Sequence, residues 1–251
     1  MPTVDFHETL PVPLPTPDFA ARFLAKDAGL WPGGKPEDVG AFLGWIDVVP
    51  KMRERLDELT EIVAESRAAG DRRIVLAGMG GSSLAPYVLA ATAGADLDVE
   101  FVVLDSTHPE TVRRIVDGSD PESTLVIVSS KSGSTAEPNA FARTFEERVG
   151  PGRMIAITDL GSPFQRHAEE RGYRRVVLAY KDIGGRYSAL SPFGLVPAAL
   201  MGLNPAEILD DAEAALADNA TDEGPAYRLG ALVGSNAKDG VDKLTILAAP
   251  G

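Results

Sequence analysis

The sequence contains no cysteine and only three histidines. The absence of cysteine excludes disulfides and thiolate metal sites, and the wide spacing of the histidines argues against a histidine cluster for metal. No apolar run approaches the ~20 residues of a membrane-spanning helix, and Met1 to Asp5 does not look like a signal peptide. We therefore expect a soluble cytoplasmic protein.

Basic residues are also scarce, with 24 lysines and arginines against 37 acidic residues and a formal net charge of −13. Nucleic acids bind basic surfaces, so this balance argues against a nucleic-acid partner. An acidic chain that binds a phosphate has to gather its few cations at the site. With 251 residues, 44% of them hydrophobic, the chain can bury one sizeable core or two small ones.

The stretch from Leu125 to Thr135, LVIVSSKSGST, predicts a strand, a loop and the start of a helix. Leu125 to Val128 is an apolar, β-branched run typical of a buried parallel strand. A helix N-terminus offers unpaired N–H groups and the positive end of the helix dipole, and hydroxyls add further donors. We interpret the loop as a phosphate site. Its hydroxyl residues besides a helix cap are Ser129, Ser130, Ser132 and Thr135.

A plainer interpretation of the same loop is helix capping. Ser134-x-x-Glu137 matches a capping box, in which a hydroxyl and a carboxylate satisfy the first N–H groups of the helix. We assign Glu137 to that role. Capping uses one or two hydroxyls, and the surplus of hydroxyls in this loop favours an anion site.

From Arg73 onward, short apolar runs alternate with helical patterns. The predicted strands are Ile74 to Ala77, Val99 to Leu104, Leu125 to Val128, Met154 to Thr158, and Arg175 to Leu178. Alternation of this kind is typical of βαβ units, so we predict an α/β fold, a three-layer αβα sandwich around a parallel sheet. Ligands bind such sheets at the carboxyl ends of the strands. Both the glycine-rich turn Gly78 to Ser83 and the hydroxyl loop fall at that edge.

The rest of the chain frames this domain, which we place at residues 71–205. Residues 1–17 form a proline-rich arm, residues 18–70 carry helical patterns, and residues 206–251 contain helices and a strand at Leu244 to Ala248. A buried parallel strand needs a crossover helix to cover it. None follows Ala248, so we expect the chain to stop early in a second, incomplete domain.

Four stretches, in this order, resemble the glucose-6-phosphate isomerase family, and most closely the isomerase half of fused transaldolase/glucose-6-phosphate isomerase proteins. They are GMGGSSLAP from Gly78, SSKSGSTAEP from Ser129, AITDLGSP from Ala156, and GGRYSALSPFGLVPAALMG from Gly184. The GGRYS stretch is the specific one, because the hydroxyl loop alone would indicate only a sugar-isomerase (SIS) domain.

The resemblance implies a first SIS domain at residues 71–205 and the start of a second one at residues 206–251. It implies an aldose–ketose isomerase of glycolysis and gluconeogenesis, which converts glucose 6-phosphate to fructose 6-phosphate through an enediolate. It also implies no cofactor or metal, and a homodimer in the complete protein. The proline arm would suit a linker to a preceding transaldolase domain.

The resemblance also implies roles for individual residues. The positions that grip the sugar phosphate correspond to Ser130, Lys131, Ser132 and Thr135. The positions that border the same pocket correspond to Gly81, Ser82 and Gly185. Arg186 falls where the family places an arginine against the reacting carbon atoms, and a fixed guanidinium suits the stabilisation of an enediolate oxygen. The alternative for Arg186 is a structural ion pair.

One departure from the family concerns the base. The family's base is a glutamate in an E-S-x-G-K stretch of the second SIS domain, and a histidine and a C-terminal lysine also join the site. This sequence ends at Gly251, before any of them. Proton transfer between C1 and C2 needs a positioned base, and neither Glu110 nor His108 lies in a matching motif. We therefore expect the isolated chain to bind sugar phosphate weakly or not at all, and to show no turnover.

Three other functions stay open at this point. The first is a non-catalytic sugar-phosphate sensor, and the second is a different phosphosugar or aminosugar isomerase on the same fold. The GGRYS stretch argues against both. The third is a dinucleotide-binding domain, for which Gly78-x-Gly80-Gly81 lacks the third glycine, since Ser83 stands there, and Asp105 is a weak candidate for the ribose ligand.

Overall fold

A five-stranded parallel sheet organises the fold of this computed structural model, which describes residues 16–94 and 97–247. The spatial order of the strands is β2-β1-β3-β4-β5. Their bounds are β1 Arg73–Gly78, β2 Glu100–Leu104, β3 Thr124–Ser129, β4 Met154–Asp159 and β5 Arg175–Ala179. The predicted α/β fold with a parallel sheet is confirmed, because each of the five strands predicted between Ile74 and Leu178 is present and pairs in parallel.

The central strands are apolar from Ile74 to Ala77 in β1 and from Leu125 to Val128 in β3, because helices cover both faces of the sheet. In β1 and β3, Val75 stands beside Val126 and Ala77 beside Val128, and all four are completely buried. The register ends with Gly78 beside Ser129, so the polar loops that follow both strands begin at the same height.

The described residues also form eleven α-helices. Within the described residues they are α1 Phe19–Leu24, α2 Pro36–Gly40, α3 Val48–Arg53, α4 Leu56–Ala68, α5 Leu84–Ala93, α6 Pro109–Asp117, α7 Ala136–Arg148, α8 Pro163–Arg171, α9 Pro192–Leu200, α10 Pro205–Asp218 and α11 Pro225–Lys238. No helix of the described chain has both the length and the apolar character needed to cross a membrane.

Each face of the sheet has its own core. On one face, Phe141 and Phe145 of α7 and Phe164 of α8 pack against alternate residues of the inner strands. On the other face lies α9, which is buried on every side and contacts α4, α5 and β5. An apolar helix without a polar face belongs in the interior of a protein, as α9 does.

The chain divides into two units, residues 37–210 and residues 1–36 with 211–251. The first contains the sheet. In the second, Phe19 and Phe23 pack edge-on against Tyr227 with ring centroids 5.4 and 5.6 Å apart, and Asp222 accepts the N–H of Ala20. Of the predicted proline-rich arm, only residues 16 and 17 are described. The predicted boundaries at residues 17, 70 and 205 stay predictions.

The helical segment before the sheet differs from the sequence pattern. The pattern predicts one helix from Pro50 to Ala69, whereas the structure has α3 and α4 with a break at Glu54 and Arg55. The Arg55 side chain reaches from this break to Glu58 and to the carbonyl of Leu178 in β5. This contact is remote in sequence, so helical periodicity could not reveal it.

A second difference concerns the strand predicted at Leu244 to Ala248. Residues 244–247 form no strand, and Ala248 lies outside the described residues. The side chains there are largely exposed, with Leu247 at 92%. A parallel strand acquires its hydrogen bonds only from a neighbouring strand, and none lies beside this segment within the described chain.

A polar cluster on the α7–α8 side provides a test of stability against pH. Glu146, whose side chain is 6% exposed, accepts hydrogen bonds from Tyr173 and Arg171 and contacts His167 Nε2 at 2.6 Å. Burial alone would raise the pKa of the Glu146 carboxyl, but these partners together outweigh it and hold the pKa below its ordinary value.

We expect this carboxylate to make the stability of the fold decrease as the pH falls. A lowered pKa in the folded state contributes stability above the unfolded pKa of 4.5, and that contribution is lost as the pH falls through the folded value. Glu146→Gln is expected to lower the free energy of unfolding at neutral pH by about 1–3 kcal/mol. In denaturant unfolding, the free energy of unfolding should fall less between about pH 6 and pH 3 in the variant than in the wild type. Equal losses would contradict this assignment.

Candidate active site

The strand order creates a crevice at the carboxyl edge of the sheet. The chain leaves β1 toward β2 on one side, whereas β3 lies on the other side of β1. Loops that leave neighbouring strands in opposite directions open a gap between them, and ligands of such sheets bind at this switch point. The 3₁₀ helix Gly80–Ser82 follows β1, and the hydroxyl loop, residues 130–135, follows β3.

A cavity of about 330 Å³ occupies this crevice. Every residue of the predicted phosphate and pocket sets lines it. Arg186, the predicted catalytic residue, does not line it but follows the lining residue Gly185 in the chain. Its lining consists of Met79, Gly81, Ser82, Ser129, Ser130, Lys131, Ser132, Thr135, Pro138, Asp159 and Gly185.

Two residues of the cavity lining carry hydroxyl groups that have no partner in the described chain. The side-chain oxygens of Ser129 and Ser130 are buried, and neither bonds to any described residue. A buried hydroxyl without a partner costs free energy, so such groups at a cavity wall favour a polar ligand or water there. Ser132 instead contacts Ser134, with 2.9 Å between the two hydroxyl oxygens.

The loop reaches its conformation through Gly133. Its φ of +67° lies in the left-handed region, and an added Cβ would lie 2.7 Å from the backbone nitrogen of Phe164. The turn lets the Ser132 hydroxyl accept the N–H of Ser134 at 3.2 Å. Within the described residues, the N–H groups of Ser132 and Gly133 donate to no other group.

The capping box predicted from Ser134 and Glu137 does not form, and that prediction is wrong. Because Ser134 belongs to the turn, α7 begins at Ala136 and Thr135 stands at the cap position, so Glu137 comes one place too early for the box. The Thr135 side chain makes no capping bond. The first N–H groups of the 13-residue helix α7 are therefore left for a ligand.

The two glycine-rich segments touch across the crevice. A Cβ on Gly81 would lie 2.2 Å from the carbonyl oxygen of Gly185, so only glycine fits there. The buried hydroxyl of Ser188 donates to the carbonyls of Gly81 and Gly185 at 3.2 and 2.8 Å. This contact holds the 3₁₀ helix Gly185–Tyr187 against the turn after β1.

Arg186 is carried by that short helix and stays available. Its side chain is exposed and forms no ion pair or hydrogen bond with any described residue. The neighbouring Tyr187 stacks on Trp45, with ring centroids 5.0 Å apart and an angle of 13° between the rings. The alternative role of Arg186 as a structural ion pair therefore finds no partner in the described part of the chain.

Lys131 is the predicted site residue whose side chain is already engaged. Its ammonium contacts Asp159 Oδ2 at 2.5 Å and the carbonyls of Tyr180 and Lys181 at 3.4 and 3.3 Å. Burial raises the pKa of the Asp159 carboxyl above its ordinary value, although Lys131 acts in the opposite direction. A phosphate contact by Lys131 stays a prediction, and its backbone N–H is the group left for one.

Comparison with known proteins decides the family. The sequence pattern of the family described as phosphoglucose isomerase matches residues 44–226. The chain belongs to the phosphoglucose isomerase family. It is 37% identical over 189 residues to a glucose-6-phosphate isomerase of Thermus thermophilus, an alignment that covers 72% of this chain and 42% of the relative. A glucose-6-phosphate isomerase of a Cyanothece species is 35% identical over 159 residues, 59% of this chain and 29% of the relative.

Solved structures agree with this assignment to the phosphoglucose isomerase family. A hypothetical protein from Thermus thermophilus matches 86% of this chain and 51% of its own, with 31% identity and a TM-score of 0.71. A glucose-6-phosphate isomerase from Chlamydia trachomatis matches 82% of this chain and 39% of its own, with 26% identity and a TM-score of 0.60. The domain built on this sheet thus has the SIS fold. The chain spans about two fifths of the length of the Thermus thermophilus glucose-6-phosphate isomerase.

Some residues weighed from the sequence of this phosphoglucose isomerase family member lie apart from the cavity. His108 and Glu110 stand at the start of α6, and Asp105 follows β2; none of the three lines the cavity. Conversely, Asp159 lines it without having been predicted. Its position at the end of β4, on the same edge as the hydroxyl loop, was the signal that could have identified it.

Proposed function

We propose that the cavity between β1 and β3 binds the phosphate group of a phosphosugar. We also propose that the complete protein isomerises glucose 6-phosphate and fructose 6-phosphate in the cytoplasm as a homodimer. The observation that carries the first proposal is the convergence of unpartnered donors at one cavity, namely the hydroxyls of Ser129 and Ser130 and the N–H groups of the hydroxyl loop.

The phosphate grip follows from donor geometry. A phosphate ester presents several acceptor oxygens, and a glycine-bearing loop at a helix N-terminus presents N–H groups and a favourable dipole to them. Thr135 at the start of α7 and Ser132 before it add hydroxyl donors on the same side. Family membership supports the same role, since the relatives are named for a sugar 6-phosphate.

Arg186 is the proposed catalytic residue for the charge that develops during isomerisation. Transfer of a proton between C1 and C2 passes through an enediolate, whose negative oxygen exists only in the transition state and intermediate. A guanidinium that has no competing carboxylate partner can stabilise that charge, so it lowers the barrier rather than only binding the substrate. Gly81, Gly185 and Ser188 position the turn that carries it.

Residues 1–251 are expected to bind sugar phosphate weakly and without turnover. The E-S-x-G-K stretch that carries the family's base does not occur among them. Without a positioned base, the proton on C2 has no acceptor, and the arginine alone cannot complete the reaction. In the complete protein, binding without turnover would indicate a sugar-phosphate sensor instead.

Calorimetric titration with glucose 6-phosphate, with glucose and inorganic phosphate as controls, tests this proposal. We expect binding that requires the phosphate group, and an affinity reduced at least about tenfold in Ser132→Ala/Thr135→Ala, because each lost donor costs roughly 1 kcal/mol or more. Thr144→Ala is the matched control, since its hydroxyl bonds only to Ala140 within α7. Unchanged affinity in the double variant would contradict the proposed site.

A further inference from the structure

The charge of the phosphate cavity is set by a pair of residues at its wall. Its charged lining residues are Lys131 and Asp159. An ammonium has three N–H donors. The Lys131 ammonium donates to Asp159 Oδ2 and to the carbonyls of Tyr180 and Lys181. No donor of this side chain is left for a ligand in the cavity.

Asp159 presents the opposite charge to the cavity. One carboxylate oxygen holds Lys131, and the other, Oδ1, is buried and bonds to no described residue. The side chain is 13% exposed, less than the 22% of Lys131. An anion that enters the cavity therefore lies near a compensated cation and near a carboxylate whose second oxygen is buried without a partner.

The pair is also fixed to the backbone that forms the site. The Asp159 N–H donates to the carbonyl of Lys131 at 3.1 Å, and the Ser130 N–H donates to the carbonyl of Ile157 at 3.0 Å. These bonds extend the β3–β4 ladder beyond the strands. The hydroxyl loop and the carboxylate therefore hold their relative positions.

We propose that Asp159 sets the affinity of the cavity for phosphate by pairing with the Lys131 ammonium. The pairing neutralises this cation and keeps it from bonding to the ligand, so that neutral hydroxyl and N–H groups hold the phosphate. This inference rests on the proposed phosphate site and specifies how that site is tuned. A site that binds its ligand through neutral donors gains less affinity from charge attraction, and it therefore releases a phosphorylated product more readily. Asp159 is thus a positioning residue that acts through Lys131.

Four proteins distinguish this role from direct binding by Lys131. They are the wild-type chain, Asp159→Asn, Lys131→Met, and the double variant, each titrated with inorganic phosphate at low ionic strength by calorimetry. Asp159→Asn is expected to bind phosphate about tenfold more tightly, because it removes a like charge within a few ångströms of the anion and leaves a cation uncompensated. Lys131→Met is expected to bind at least about tenfold more weakly, because it leaves the carboxylate uncompensated.

The double variant decides between the two explanations. If the pair acts as a neutral unit, removing both charges returns the affinity to within about threefold of the wild type, since the two single effects oppose each other. If Lys131 itself binds phosphate, the double variant stays as weak as Lys131→Met, and the proposal is overturned. This comparison decides the question even if Asp159→Asn alone does not fold.

The outcomes also separate this inference from the proposed function. Binding by the wild type without tighter binding by Asp159→Asn would overturn the role of Asp159 and leave the phosphate site intact. Four folded proteins of which none binds phosphate would overturn the site, and the role of Asp159 with it. Circular dichroism and thermal unfolding establish that each variant is folded.

Discussion

Replacing Gly81 with alanine is expected to weaken phosphate binding at least about tenfold and to lower the free energy of unfolding by about 2–3 kcal/mol. The added Cβ would lie 2.2 Å from the carbonyl oxygen of Gly185 and 2.5 Å from its carbonyl carbon. Both neighbours are backbone atoms, so the clash cannot be relieved by turning a side chain. The turn that carries Arg186 has to move away, and the Ser188 bond to Gly81 stretches with it.

The facing glycine provides a matched control for this effect. A Cβ on Gly185 would meet no atom within 4 Å, although Gly185 forms the other side of the same contact. Gly185→Ala is therefore expected to change the free energy of unfolding by less than about 1 kcal/mol in denaturant unfolding. Similar losses in the two variants, or full phosphate affinity in Gly81→Ala, would contradict the packing described for this contact.

Replacing Asp71 with alanine is expected to cost about 3–5 kcal/mol of unfolding free energy, because it removes the completely buried partner of two partly buried arginines. The Asp71 side chain is completely buried and accepts hydrogen bonds from Arg153, Arg174 and Ser66. Asp71 precedes β1, Arg153 precedes β4 and Arg174 precedes β5. The cluster thus joins the starts of three strands at the edge of the sheet opposite the crevice.

Urea unfolding at neutral pH measures this loss, with Asp98→Ala as the control. Asp98 pairs with Arg67 on the surface, where the two side chains are 59% and 70% exposed. Exposed pairs contribute about 0–1 kcal/mol, so the control should stay close to the wild type. A loss below about 1 kcal/mol in Asp71→Ala would show that the buried cluster contributes no more than a surface pair. Phosphate affinity should be unchanged in folded Asp71→Ala, because the cluster lies at the other end of the strands.

The features that could be predicted from the sequence are those determined by neighbours along the chain. Apolar β-branched runs of four to six residues define strands by themselves, and the polar residues after them are brought to one edge by the parallel arrangement. This is why Ser130, Ser132 and Gly81 could be expected at one cavity, although they come from two separate segments, whereas Gly185 was expected there only from the family resemblance.

The features that could not be predicted depend on contacts between distant segments. The partners of Lys131 come from β4 and from the segment after β5, and nothing in the SSKSGST pattern indicates that its cation is already compensated. The capping box failed for a local reason, because the Gly133 turn uses Ser134 and moves the helix start by one residue. At the break before α4, the Arg55 side chain bonds to the carbonyl of Leu178 in β5, a contact that is remote in sequence.

A backbone amide NMR titration of the ¹⁵N-labelled chain with inorganic phosphate tests whether phosphate binds at the hydroxyl loop in the crevice between β1 and β3. We expect saturable shifts at the N–H groups of residues 131–137, with smaller shifts at Gly81 and Gly185. Shifts confined to another surface, such as the groove of about 450 Å³ between α4 and the segment that links α9 to α10, would contradict this expectation.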